Sequence, residues 1–207
     1  MRDNPKHEIT DPRVVRDLIA ENPWATIVSS NEGALVASHY PVLLDDRDDA
    51  GLAIVTHVGR PDEKVHGFGR GEILVIVAGP HGYISPSWYS EQGTPVPTWN
   101  FSVAHCYGVL EILAADENLR VLTRLVDHFE QHVDRPVPLD QQFGARLARG
   151  TVGIRLRITR FVCKVKMSHD KDQRSREQVL DALRGSGPYS NPALAADMQR
   201  ALSATSS

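Results

Sequence analysis

Between Thr151 and Met167 the chain reads TVGIRLRITRFVCKVKM, and Ile154, Leu156 and Ile158 alternate there with Arg155 and Arg157. A period of two marks a strand with one apolar and one basic face. A second extended stretch, TWNFSVAHCYGVLEIL from Thr98, follows Pro95-Val96-Pro97 and is long enough for a bent or bulged strand. Shorter β-branched runs precede both. Trp24 to Ser30 and Ala34 to Leu44 flank an Asn31-Glu32-Gly33 turn and read as a hairpin, with Pro41 marking an edge, bulge or break. Leu52 to His57 and Glu72 to Ala78 complete the set. Such a sequence of short strands, turns and interspersed helices predicts a small β-barrel with helical decoration, not a doubly wound sheet.

The helices carry their own punctuation. Thr10-Asp11-Pro12 supplies a cap and a first-turn proline before the stripe Val14, Val15, Leu18 and Ile19, and Asn22-Pro23 ends it. Pro61 to Phe68 reads as a short helix. Glu117 to Val133 is the strongest, with Leu119, Leu122, Leu125, Val126 and Phe129 on one face, and Gln141 to Arg149 follows. Two more helices, Arg174–Leu183 and one opening at Asn191-Pro192, form the tail. Gly79 to Gln92 is broken by Gly, Pro and Ser and reads as loops around a short extended piece. The acidic run Asp45 to Asp49 reads as an exposed loop.

Composition narrows the function classes. The 207 residues carry a formal charge of −3 and 41% hydrophobic side chains, as in an ordinary globular domain. No apolar run approaches the roughly 20 residues that cross a bilayer, and the first twelve residues hold no apolar signal segment. Cys106 and Cys163 lie far apart, outside any CxxC pair, which points to a reducing compartment, the cytoplasm, and away from structural zinc. The chain lacks HExxH, GxSxG, GxGxxG and Walker A motifs, so the common hydrolase and nucleotide cradles are absent. Charge is uneven: residues 146–176 hold ten basic and two acidic residues, a balance of +8. Such a stripe serves a phosphorylated ligand, nucleic acid or plain solubility.

Chemistry concentrates in three places. Tyr83, Trp88, Tyr89, Trp99 and Phe101 fall close together, interleaved with Ser85, Ser87, Thr98 and Asn100. Single rings of this kind are usually core, but the hydroxyls and amide suit the edges of a planar heterocycle. Lys164, Lys166 and Ser168, spaced by two, share one strand face and suit a phosphate or carboxylate, or a soluble edge. His57 ends a strand before Gly-Arg-Pro, where an imidazole either closes a local hydrogen bond or binds a ligand or a metal such as haem iron.

The runs PWATIVSS, LVASHYPVLLDD, LVIVAGPHGYISPSWY and VPTWNFSVAHCYG, with a weaker echo in KVKMS, resemble the PaiB-like family of FMN-binding negative transcriptional regulators. The resemblance covers Pro23 to Ser168. It implies a mainly β fold with flanking helices (α+β), a split β-barrel of the pyridoxamine-phosphate-oxidase/FMN-binding type. One domain over 1–207 is expected, with a barrel core at about 23–168 and a helical C-terminal tail at about 172–205. A homodimer with FMN between subunits is also implied. By position, His57 and Arg60 match the family's histidine and arginine, Ser85, Trp88 and Tyr89 its SPSWY loop, Thr98, Trp99 and Asn100 its PTWN motif, and Lys164, Lys166 and Ser168 its KWKLS motif. The chain departs at Asp62-Glu63, where the family has Asn-Pro, and at Val165, where it has an aromatic.

Three readings follow. The first is a flavin-binding split barrel, acting as a flavin-dependent oxidoreductase or a flavin-responsive regulator, with Arg60, Lys164 and Lys166 toward phosphate and Trp88, Trp99 and Asn100 toward the ring. The second is a haem enzyme with His57 as iron ligand, because piperazate synthases, which close an N–N bond, resemble the same family. The third is regulation through DNA or a protein partner, for which the +8 window is the only electrostatic support.

Overall fold

The computed structural model describes residues 7–45, 47, 51–90 and 96–204. Its elements run β1 (Glu8–Ile9), α1 (Pro12–Glu21), β2 (Trp24–Asn31), β3 (Ala34–Pro41), β4 (Leu43–Leu44), β5 (Ala53–Gly59), α2 (Arg60–His66), β6 (Glu72–Ile84), β7 (Thr98–Ile112), α3 (Ala115–Glu130), α4 (Gln141–Gly150), β8 (Thr151–Lys166), α5 (Gln173–Arg184) and α6 (Pro192–Ala204). The strands form one sheet in the order β3-β2-β6-β7-β8-β5-β4, with β1 added to β8. The mainly β, α+β fold expected from the sequence is the one observed.

Local chemistry explains the early elements. Asp11 caps α1, accepting a hydrogen bond from the Arg13 N–H at 2.9 Å, and Val15, Leu18 and Ile19 are buried. β2 and β3 pair without a slip from Trp24↔Pro41 to Asn31↔Ala34. Glu32 and Gly33 both take positive φ, 51° and 85°, as a two-residue hairpin turn requires. Val42 interrupts the second arm just after Pro41, where the break was expected.

The chain divides into two compact units, and β6, β7 and β8 contribute residues to both. The central unit comprises residues 11–77 and 104–162. In it α3 packs Val121 and Leu125 against Val55 and Leu113. The helix starts two residues earlier than expected, and its buried stripe runs through Asn118, Val121, Leu122 and Leu125, leaving Phe129 40% exposed. The terminal unit takes the chain up to Thr10, residues 78–103 and the chain from Cys163 on. There α5 and α6 enclose Ile84, Met167, Val179, Leu183, Leu194 and Met198.

Three expectations are corrected. Gly79 to Ile84 is strand, not loop: β6 continues through it. Gly82 permits this, since a Cβ there would come within 3.0 Å of Leu194 Cδ2 on α6, and the Asn191 side chain donates to the His81 carbonyl. Asp45 is not exposed but buried, accepting from Arg155 Nε at 2.5 Å. Asp46 and Asp48–Asp49, with Glu91–Pro95 of the aromatic stretch, lie outside the described residues. Arg155, read as part of a basic surface, is 6% exposed and also binds Glu111 at 3.2 Å and Glu117 at 2.6 Å. Burial alone would raise the Asp45 carboxyl, but the Arg155 hydrogen bond and charge hold it below the usual range.

Gly108 on β7 sits against the backbone of Arg157, and a Cβ there would fall inside the Arg157 carbonyl oxygen. Gly108→Ala should therefore cost about 3 kcal/mol, the upper end for overpacking. Gly150→Ala, with nothing within 4 Å of its Cβ, should stay within about 1 kcal/mol. Urea denaturation of the two variants checks the contrast.

Candidate functional site

The terminal unit gathers polar groups that lie far apart in sequence. Thr98 and Asn100 open β7 on one face, with Trp99 on the other, as strand geometry dictates. β8 ends at Lys166, and Ser168 follows with φ 58°, a left-handed conformation uncommon for a residue other than glycine. Its hydroxyl is held from both sides: Asn100 Nδ2 donates to it at 2.9 Å, and it donates to Asn100 Oδ1 at 3.2 Å. Both residues are buried. Lys166 Nζ donates to Thr98 Oγ1.

These groups line a cavity of about 240 Å³ with Tyr89, Lys171 and Asp170, and Asp170 ion-pairs with Lys171 at 3.4 Å. The Tyr89 hydroxyl is enclosed beside Ser168 without a well-formed hydrogen bond. Lys171 Nζ stands 5.4 Å from the Tyr89 ring centre. Burial lowers the Lys166 ammonium below its ordinary value, only partly opposed by the charge of Asp170. Among the described residues Lys166 forms no ion pair, Asp170 pairing with Lys171 instead. The cavity is smaller than the roughly 300 Å³ at which whole-ligand pockets begin. It suits one anionic group.

Other expected residues sit elsewhere. Ser85 caps the short turn Pro86–Trp88 and shares a 2.8 Å hydrogen bond with Ser87, so both hydroxyls close their own turn. Trp88 packs on the α5–α6 core, as does the ring of Tyr89. Ser90 ties this turn to Asp172 and Ser175 at the start of α5. Trp99 is 54% exposed and lies beside His81 and Tyr83. The aromatic stretch is thus split between a core and an outer face. Lys164 is 6% exposed, in register with Glu8 of β1. Lys171, which no motif had singled out, joins the cavity because the chain turns back after Lys166.

His57 and Arg60 belong to the central unit. His57 is half-buried within β5, two residues before its end, and burial lowers its pKa, so the imidazole is neutral at pH 7. Arg60 opens α2, donates from Nε to the Arg149 carbonyl at 2.6 Å and lines a cavity of about 400 Å³ with Asn118, Leu119 and Arg149. The departure at Asp62 has a structural role: Asp62 accepts from Tyr40 at 2.6 Å and Ser38 at 3.0 Å, fastening α2 to β3. The basic window is weaker than its formal charge, since Arg155, Arg157 and Arg160 face Glu111, Glu117 or Glu72. Cys106 and Cys163 are buried and form no disulfide, and burial pushes the Cys163 thiol up to about 12.

The family model described as "Putative FMN-binding domain" matches residues 1–160. The chain belongs to this family. The match ends short of Lys164, Lys166 and Ser168. The chain is 30% identical over 184 residues to "Protease synthase and sporulation protein PAI 2" of Bacillus subtilis (strain 168), covering 86% of this chain and 87% of that protein. Two solved structures share the fold at 16% identity. The FAD and haem binding protein from Mycobacterium smegmatis has a TM-score of 0.61 over 83% of this chain and 78% of its own. The flavocytochrome Anf3 from Azotobacter vinelandii has a TM-score of 0.59 over 83% and 75%. The fold of this FMN-binding-family chain is the split barrel.

Several histidines are held neutral by burial: His57, His66, His105 and His169 all have lowered pKa values. His66 is the most enclosed, with its ring nitrogens 2.8 Å from Ser29 Oγ and 3.0 Å from Ser38 Oγ. Their folded pKa values lie below the unfolded value of about 6.5, so the unfolded chain binds more protons under mildly acidic conditions. The stability they permit is complete above about pH 6.5 and falls as the pH drops below it. The urea midpoint should decrease from pH 7.5 to pH 5.5. A flat or rising midpoint would contradict the buried neutral histidines.

Proposed function

We propose that this chain binds FMN as a cofactor and that the cavity beside Lys166 takes its phosphate. The observation that carries this reading is a half-buried ammonium that forms no ion pair among the described residues, set among Thr98, Asn100, Ser168 and Tyr89, with Asp170 on the cavity wall engaging Lys171. Withdrawing such a charge from water is unfavourable unless an anion joins it. A phosphate fits the space, and hydroxyls and an ammonium are the donors it needs. Bound flavin would supply hydride or electron transfer. The chain's part is to neutralise the phosphate through Lys166, with Lys171 shared between it and Asp170, and to hold its oxygens through the hydroxyl donors. The split-barrel family supports flavin as the ligand class, and FMN is the flavin that ends in a phosphate monoester. We infer an oxidoreductase or a flavin-responsive regulator built as a single domain, with a second copy completing the cofactor site. A mass in solution twice that of the chain would support the dimer.

Lys166→Ala should weaken FMN binding on the order of ten- to a hundredfold, the worth of one charge-assisted hydrogen bond. Lys166→Arg should recover part of it, and both should keep the circular dichroism of the parent. FMN affinity unchanged in Lys166→Ala would remove this cavity from the site.

A second reading is favoured by His57, whose neutral imidazole has no hydrogen-bond partner among the described residues. It is haem binding with His57 as the iron ligand, and the haem-containing proteins that share the fold lend it support. Haemin titration should then produce a Soret band that His57→Ala shifts or abolishes. A band insensitive to that substitution would end the reading.

A further inference from the structure

His57 and Gly153 stand directly opposite each other where β5 pairs with β8. A side chain at 153 would therefore flank the imidazole, with the two Cβ atoms about 5 Å apart. Residue 153 has no side chain, and α3 fills the place instead. A Cβ there would meet Asn118 Cα at 2.9 Å and Asn118 Oδ1 at 3.0 Å. The shared face is unambiguous. Val55, two residues before His57, packs on Val121 and Leu125 of α3, and Arg155, two residues after Gly153, binds Glu117 beside Asn118.

Asn118 is 4% exposed. Its Nδ2 donates to the Ala148 carbonyl at 3.1 Å, the Thr151 carbonyl at 3.3 Å and Thr151 Oγ1 at 3.2 Å. Those three acceptors fix which end of the amide is nitrogen. Its Oδ1 is enclosed and accepts nothing. His57 Nδ1 is also enclosed and unbonded, whereas Nε2 is not enclosed. A buried acceptor and a buried nitrogen able to donate thus occupy neighbouring places on one face. Each left alone is unfavourable, and a single hydrogen bond between them would remove both penalties.

The geometry points to Asn118 as a positioning residue for His57: the two atoms are unbonded as the side chains stand, and a turn of the imidazole that lets Oδ1 accept the Nδ1–H would hold it as the tautomer whose bare Nε2 opens outward. A histidine held this way offers a lone pair to a transition-metal centre such as haem iron. The inference rests on the second reading above only in taking Nε2 as the working atom. The tautomer itself is a property of the protein without any cofactor.

The test is the long-range proton–nitrogen NMR spectrum of the 15N-labelled protein without added cofactor above pH 7.5, with the His57 signals assigned by their loss in His57→Gln. The expected result is a protonated Nδ1 and an unprotonated Nε2. A predominant Nε2–H tautomer would overturn the inference whatever haem does. Asn118→Asp, which keeps the acceptor, should preserve the tautomer, and Asn118→Leu should release it toward Nε2–H. An unchanged tautomer in Asn118→Leu would also overturn it. Because Asn118 also ties down Ala148 and Thr151, the leucine variant can lose its fold, and in that event the parent spectrum decides alone. Failure of haem to bind a protein that shows the expected tautomer would sink the iron reading and leave the positioning role standing.

Discussion

The guanidinium of Arg155 is the interaction on which the central unit depends. It is buried on β8 and held by Asp45 after β4, Glu111 at the end of β7 and Glu117 in the first turn of α3. Four segments separated by up to 110 residues meet at one charge. Burial works against the guanidinium's charge, and its three carboxylate partners more than offset this and raise its pKa. Such a network adds little net stability over an apolar core, but it tolerates only one arrangement, since removing a partner leaves a buried charge uncompensated at about 3–5 kcal/mol. It ties the first turn of α3 to β8, next to Asn118 over Gly153.

The terminal unit solves a different problem. Its aromatic and hydroxyl-rich stretch is divided by strand geometry and helix packing. Trp88 and Tyr89 turn onto α5 and α6, Trp99 faces outward, and Thr98 and Asn100 face inward to meet Lys166 and Ser168. The polar cluster needs contacts between residues 68 apart in sequence. The left-handed backbone at Ser168 is what swings its hydroxyl back to Asn100 after β8 has ended. A conformation of this kind persists only when its surroundings over-determine it, and such residues recur at ligand clamps.

Much of this was legible beforehand, and the misreadings share a cause. The hairpin, the Asp11 cap, the proline break after β3, the long β7 and β8 and both C-terminal helices follow from local rules about φ, capping and periodicity. Gly79–Ile84 was misread because glycine and proline break a strand only when nothing supports it, and α6 makes Gly82 a requirement of close packing. Asp45 and Arg155 were misread as surface because each has the charge of a surface residue, and only the other's presence makes burial tolerable. Lys166 was legible as a candidate from its spacing, whereas Lys171 and Asn118 carried no motif.

The order of strands and helices, their caps and turns, and the residue types able to grip an anion were determined by the sequence itself, because each depends on neighbours a few positions away. Which aromatic rings face the helical core, which charges are buried together and which amide lies over Gly153 were decided by the tertiary structure alone. Those outcomes depend on partners dozens of residues distant, and one residue's shift in strand register would send each side chain to the opposite face.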